Sequence, residues 1–270
     1  MQLAALMALL LEWVILITTA APLLLQSSRF TIRNPRTAIA LWFGTLVLAT
    51  VALAVAFTLG VITAVSFWAQ LESQKDSPEK IFWAFVFSFV PWILLAFAGI
   101  TLALINQRLE PVLEAKRLVR NSIDILAQQR RSDLPSRTFG VEVFEIQLAA
   151  PLAFAVSTRK SRRIVLSSGL QELLDPIELQ AAVAHEFAHL KQHHQWQKTV
   201  AGLIARLTPW LVASKVLVFE LSFLCEYAAD DAVFRKSQGV ALLNALKKMH
   251  AKQPDPEVKQ RIERLLAKNL

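Results

Sequence analysis

Apolar residues crowd the first third of the chain in three long runs. Residues 3–25 carry one charge, Glu12, while residues 37–68 and 81–104 carry none. A bilayer core takes about 20 apolar residues of helix, so each run predicts a span. Pro91 predicts a kink in the third. At 1.5 Å per residue the second run makes a helix of about 48 Å, longer than the roughly 30 Å core, so it must tilt or protrude. No Lys or Arg precedes Arg29. A cleaved leader begins with basic residues, so the first run is expected to be an uncleaved span with its N-terminus outside.

Beyond residue 105 the pattern becomes that of a water-facing domain. Residues 105–135 place Val112, Val119, Ile123 and Leu126 on one helical stripe. Residues 141–147 alternate apolar and polar as a strand does, and 154–156 and 164–166 are short β-type runs joined by a basic turn over 158–163. Together, 141–168 read as a small antiparallel sheet with an exposed edge. Asp175, Pro176 and Glu178 form a helix start, with a capping acid, Pro at the first helical position and Glu at the third. That helix is expected to run to about His194. Residues 199–224 are apolar enough to suggest a fourth span, but contain Arg206, Lys215, Glu220 and Pro209. A helix to about Met249 follows, then a break at Pro254, Asp255 and Pro256. A last helix has an apolar stripe of Val258, Ile262, Leu265 and Leu266. Its opposite face carries Lys259, Arg261, Arg264 and Lys268, expected to meet anionic lipid or the catalytic domain. The expected fold class is therefore a mainly α membrane protein. Three transmembrane helices in 1–105 precede an α+β domain in 106–270 with a small antiparallel sheet.

Composition agrees with this division. The chain is 54% hydrophobic and only 19% charged, against about 25% charged in ordinary soluble domains, which excludes disorder and a nucleic-acid tail. The net charge of +8 is unevenly spread: residues 1–105 hold five basic and four acidic groups, and the rest lies beyond. Arg29, Arg33 and Arg36 fill the first loop without an acid. The second mixes Lys75 and Lys80 with Glu72, Asp76 and Glu79. Arg108, Lys116, Arg117 and Arg120 follow the third run. Basic, mixed, basic reads as inside, outside, inside, which makes the C-terminal domain cytoplasmic at a plasma membrane. Scattered basic residues without a recognition fold predict no nucleic-acid partner. The single cysteine, Cys225, excludes an internal disulfide or a cysteine zinc cluster and is expected to be a buried structural thiol.

The informative chemistry is His185-Glu186-Phe187-Ala188-His189. Residues four apart on a helix share a face, one turn along, so His185 and His189 can grip one metal ion. Glu186 projects beside them as a candidate catalytic base. Catalytic zinc needs a third protein ligand and an open position. Gln195 stands where metzincins place their third histidine, and His193 lies a turn beyond a metal held by the first two. Glu226 is the better candidate. Asp230, four residues on and on the same face, is expected to accept a hydrogen bond from a ligand histidine, whereas Asp231 points elsewhere. A membrane-crossing 199–224 would put Glu226 about 30 Å from His189, so this segment is expected to form a same-side hairpin bending at residues 207–211. His193, His194, His250 and Tyr227 are candidates to stabilise an oxyanion.

Residues 150–232 resemble the catalytic region of the BlaR/MecR-type membrane metallopeptidases and, more distantly, the HtpX-type membrane proteases. The matching pieces are Ala153-Phe154-Ala155 before a basic turn, Ile164-Val165-Leu166-Ser167-Ser168-Gly169-Leu170, Glu178-Leu179 before Ala181 to Leu190, and Glu226 with Ala229-Asp230. The resemblance implies a gluzincin zinc endopeptidase, with Zn2+ on His185, His189 and Glu226 and with Glu186 as base. Two departures stand out. A chain ending at Leu270 is expected to lack the receptors' extracellular penicillin-sensing domain, and Leu152 stands where HtpX-type sequences often have Asn. A protein or peptide substrate is expected to add as a strand to the edge near Phe154, Ala155 and Val156. A role in regulated proteolysis would require a separate sensor protein as partner. The alternative from another class is a non-catalytic metal-binding membrane scaffold, which would not need Glu186.

Overall fold

In the computed structural model, residues 2–26, 29–72, 137–138, 140–157, 162–207 and 212–268 are described. The predicted span at 81–104 and the helix at 105–135 lie outside them. Helix α1 is Gln2–Leu25, α2 is Arg29–Arg33 and α3 is Pro35–Glu72. Among the described residues, Pro35–Thr63 is the one stretch long and apolar enough to cross a membrane, and Glu12–Leu25 is a shorter apolar helix. The expectation of three spans thus corresponds here to one clear candidate. Helices α1 and α3 pack together, yet Trp13, Ile15, Leu23, Leu48, Val51 and Phe57 are all more than half exposed. Large apolar side chains exposed to this extent suit an apolar surrounding better than water.

The excess length of α3 is taken up by protein. Its first turns bury Ala38, Ile39 and Trp42 against Ala201, Leu217, Leu221, Leu224 and Ala228.

Four strands form one sheet in the order β1-β2-β4-β3, with β1 Arg137–Thr138, β2 Val141–Ile146, β3 Ala153–Ser157 and β4 Arg162–Ser167. The expectation of an antiparallel sheet is corrected here: β2 and β4 run parallel, while β1–β2 and β3–β4 are antiparallel. The hairpin partner β4 enters between β2 and β3, so the link 147–152 must cross the end of β4. Ser167 and Ser168 pin that crossing. Ser167 N donates to Leu152 O at 2.9 Å, Leu152 N to Ser167 Oγ at 2.8 Å, and Leu148 N to Ser168 Oγ at 3.1 Å. At Gly169, whose N–H donates to Leu148 O at 2.9 Å, an added Cβ would overlap the Ala149 carbonyl. The run Ser167-Ser168-Gly169 is therefore a sheet corner that admits no side chain at its third position.

Helix α4, Ser168–Leu173, leads into the central helix α5, Pro176–Lys191. Asp175 Oδ1 accepts from Ile177 N and Glu178 N, and Glu178 Oε2 accepts from Asp175 N at 3.1 Å, the reciprocal cap expected from the sequence. Glu178 also receives Lys248 Nζ at 2.6 Å, which ties the start of α5 to α8. Small residues let neighbours approach on several sides. Ala182 and Val183 face the sheet core, and Ala181 and Ala184 face Leu242, Leu246 and Leu265.

The helix stops at Lys191, short of the expected His194, because His193 takes a left-handed φ of 56°. Helices α6, His194–Leu207, and α7, Val212–Val233, then pack on each other, and residues 208–211 of the expected bend lie outside the described set. A single π-helical turn, Phe234–Gln238, precedes α8, Gly239–Lys252, and α9, Pro256–Lys268.

The expected basic outer face of α9 is only half real. Lys259 and Lys268 are exposed, but Arg261 and Arg264 are buried. Both turn inward to acids on α7, an attraction that periodicity within α9 cannot reveal.

The Gly169→Ala variant is expected to lose about 1–3 kcal/mol through backbone overlap, read as a lowered unfolding temperature in detergent; an unchanged melting curve would refute the corner reading.

Candidate metal centre

Helices α5 and α7 cross so that three atoms meet. His185 Nε2 lies 3.1 Å from His189 Nε2 and 3.2 Å from Glu226 Oε2, and His189 Nε2 lies 3.4 Å from Glu226 Oε2. Ligand bonds of 2.0–2.2 Å in a tetrahedral site imply edges of about 3.3–3.6 Å. The triangle comes within about 0.2 Å of that size on every edge.

The protonation logic agrees. His185 Nδ1 is 3.0 Å from Asp230 Oδ1, and His189 Nδ1 is 2.9 Å from His194 Nδ1. With the ring protons on the Nδ1 side, both Nε2 lone pairs and a carboxylate oxygen converge on one point. Such a donor set is satisfied by a cation there.

Burial and ion pairing set the electrostatics. Asp230 is fully buried; burial alone would raise its pKa, but the Arg261 guanidinium beside it brings the pKa down to about 2. Arg261 Nη2 and Nε donate to Asp230 Oδ1 and Oδ2 at 2.6 and 3.0 Å, a two-point clamp. For Glu226, burial is outweighed by the hydrogen bonds from His185 and His189, which hold its carboxyl well below the usual range. Lys198 Nζ takes one Glu226 oxygen, Oε1, at 3.0 Å, while Oε2 faces the two histidines with Arg261 Nη1 3.4 Å away. Burial and Arg261 push His185 down, yet its bonds to Asp230 and Glu226 prevail and raise it to about 9. His194 is shifted the other way, to about 3, by burial and then by His189.

A cavity of about 570 Å3 opens on the triangle. It is lined by Glu186, His194 and Lys198 on one side, by Ala153, Phe154 and Ala155 of β3, and by Leu242, Leu246 and Met249 of α8. The phase of β3 follows from the Ser167 N to Leu152 O bond and the register: Leu152, Phe154 and Val156 are the residues bonded to β4, and the backbone groups of Ala153, Ala155 and Ser157 face outward. Ser157 N accordingly donates to Gln195 Oε1 at 3.1 Å. Of the three edge residues expected from the sequence, the outward backbone is that of Ala155, Phe154 reaches the cavity, and Val156 is not among the lining residues.

Of the oxyanion candidates, His194 alone lines the cavity. His193 is exposed, His250 Nδ1 accepts from Asp255 N, and Tyr227 lies under the Arg264 guanidinium. Asp231 is neither free nor a cap: Arg264 and Lys268 bind it at 2.8 and 2.6 Å. Cys225 is fully buried, with burial raising its thiol to about 12, as befits a structural residue. Arg261 and Lys198 were missed from sequence because they belong to other helices and share no spacing with the motif.

Residues 114–246 match the profile of Peptidase family M48, and His185, Glu186, His189, Glu226 and Asp230 all fall inside the match. Over this segment the chain is similar to the M48 peptidases. The chain is 28% identical over 82 residues to Protease HtpX homolog 2 of Methanosarcina mazei, which is 30% of this chain and 26% of that protein. It is 34% identical over 67 residues to the Protease HtpX homolog of Dictyoglomus thermophilum, 24% of this chain and 22% of that one. The matched region thus spans about a quarter of the length of these curated relatives. The crystal structure of S. mikatae Ste24p aligns with 79% of this chain and 64% of its own at 16% identity, with a TM-score of 0.36. The relatives named here lie on the HtpX side of the resemblance; BlaR/MecR-type specificity is a narrower reading.

Elemental analysis of the detergent-purified chain should find about one zinc per chain, largely lost in Glu226→Ala. Retention of zinc by that variant would remove Glu226 from the ligand set.

Proposed function

We propose that the chain is a membrane-bound zinc endopeptidase that cleaves polypeptides at the cytoplasmic face of a plasma membrane. The observation that carries this reading is the triangle of His185, His189 and Glu226 opening on a cavity that contains Glu186 and the edge of β3. Zinc, when bound, supplies Lewis acidity, which acidifies a water and polarises a carbonyl.

The remaining roles belong to the chain itself. The Glu186 carboxylate takes the proton of the attacking water and later delivers it to the leaving amine nitrogen. Asp230 holds the proton of His185 on Nδ1. The outward N–H and C=O of Ala155 hold an extended substrate by strand addition, a mode that engages backbone more than side chains. The apolar wall of Leu242, Leu246 and Met249 faces the same cavity and fits an apolar substrate side chain.

The orientation rests on two contacts. Arg36 Nε donates to Gln192 Oε1 at 2.8 Å, and Arg264 Nε donates to Ile32 O at 3.0 Å. The basic loop after the first helix therefore lies against the peptidase core. Arg29, Arg33 and Arg36 mark that loop as cytoplasmic, and the core goes with it. Under this reading 199–224 is a same-side hairpin beside α3, residues 1–105 are the membrane domain and 106–270 the peptidase domain.

Glu186→Gln should lower hydrolysis of an unfolded protein substrate by about 10²–10⁴-fold while zinc per chain stays at the wild-type value. Undiminished hydrolysis in the variant would refute the role of Glu186, whereas a zinc-loaded wild type that cleaves nothing would favour the scaffold reading.

A further inference from the structure

His189 has a partner of a different kind from that of His185. A histidine that ligates through Nε2 must keep its proton on Nδ1, and an acceptor there fixes both the tautomer and the ring angle. For His185 the acceptor is a carboxylate, Asp230, at 3.0 Å. For His189 the atom in place is an imidazole nitrogen, His194 Nδ1, at 2.9 Å. The two ring planes cross at 83° with centroids 4.8 Å apart, and the 2.9 Å between the two Nδ1 atoms is a hydrogen-bond distance when His189 keeps its proton on Nδ1 and His194 does not. His194 is 1% exposed, and this bond accounts for its burial.

The backbone is shaped to make the contact. On a continuous helix, residue 194 would stand about 140° around the axis from residue 189 and could not reach that ring. Helix α5 instead ends at Lys191, and the left-handed turn at His193 starts α6 at His194. Trp196 N and Gln197 N both bond to His193 O, which anchors the new helix. The break thus brings His194 back beneath the second ligand. A neutral acceptor also adds no further negative charge to a site that already buries Glu226 and Asp230.

Resting on the metal reading above, we infer that His194 is the positioning residue for His189: its Nδ1 accepts the His189 Nδ1–H and so aims His189 Nε2 at the metal. His194 is thereby assigned to building the site rather than to touching the substrate.

The test uses the full-length chain in detergent, with zinc affinity measured by chelator competition and the absorption of the cobalt-loaded protein as a second readout. Three variants separate hydrogen bonding from space filling. An Asn side-chain oxygen falls near the place of a histidine Nδ1, a Gln oxygen near that of Nε2, and Phe fills the volume without an acceptor. His194→Asn should bind zinc within about threefold of wild type, whereas His194→Gln and His194→Phe should weaken it about 10–100-fold and alter the cobalt spectrum. Wild-type affinity in His194→Phe would overturn the proposal, and so would an equal loss in His194→Asn and His194→Phe. Should His194→Phe fail to fold, the Asn–Gln comparison decides alone. A wild-type chain that binds no zinc would instead refute the metal reading, so the two failures are distinct.

Discussion

Everything around the histidine motif answers to one constraint: Glu226 brings a carboxylate oxygen within about 3.4 Å of two histidine nitrogens on another helix. The histidines satisfy their half locally, since four residues of helix bring them together. Glu226 cannot, because it lies 37 residues past His189 and the intervening chain is apolar. The only paths that return it are those in which α6 and α7 double back. The packing of α7 on both α5 and α3 follows from that return. A buried acid is also tolerable only where cations meet it. Lys198 and Arg261 supply them from α6 and α9. The last helix is therefore part of the site although its sequence reads as an ordinary amphipathic surface element.

Two consecutive acids show how that helix is held. Asp230 is completely buried and binds Arg261, while Asp231, one position on, is more accessible and binds Arg264 and Lys268. Residues 261, 264 and 268 recur at helical spacing, so one face of α9 reads two adjacent acids on α7. Losing Arg261 would leave Asp230 buried without its counter-charge, which is a larger penalty than losing a surface pair.

The local features were legible from sequence, and among the tertiary ones the strand pairing, the arginine contacts of α9 and the partner of His189 were not. Asp175, Pro176 and Glu178 announce the start of α5 because capping is a short-range interaction, and the structure has the same reciprocal bonds. The pairs His185–His189 and Glu226–Asp230 announce a shared face each, and the geometry unites the two faces. The parallel pairing of β2 with β4 was hidden because alternation reports that a strand exists but not which neighbour it takes. The signal that could have found it is Gly169, a residue needed where two backbones touch. Arg261 was hidden for a related reason. An arginine on a polar helix face looks solvated until the acids opposite it are known. His194 was in view as a histidine near the motif, but a helix drawn through 194 turns it away. Only the left-handed residue at 193 brings it in.

The apolar helices and the chemistry share more than a chain. The turn of α3 that buries Ala38, Ile39 and Trp42 packs on Leu221, Leu224, Cys225 and Ala228 of α7, the residues that flank Glu226. Phe43 stacks on Trp196, two residues past His194. Hence the helix most suited to the bilayer packs against the neighbours of both Glu226 and His194. Interiors packed at this density transmit displacement rather than absorb it. A shift of α3 would on that ground reach α7 and the start of α6, the elements that carry Glu226 and His194. The cluster of His185, His189 and Glu226 is thus built against the one described helix long and apolar enough to cross a membrane.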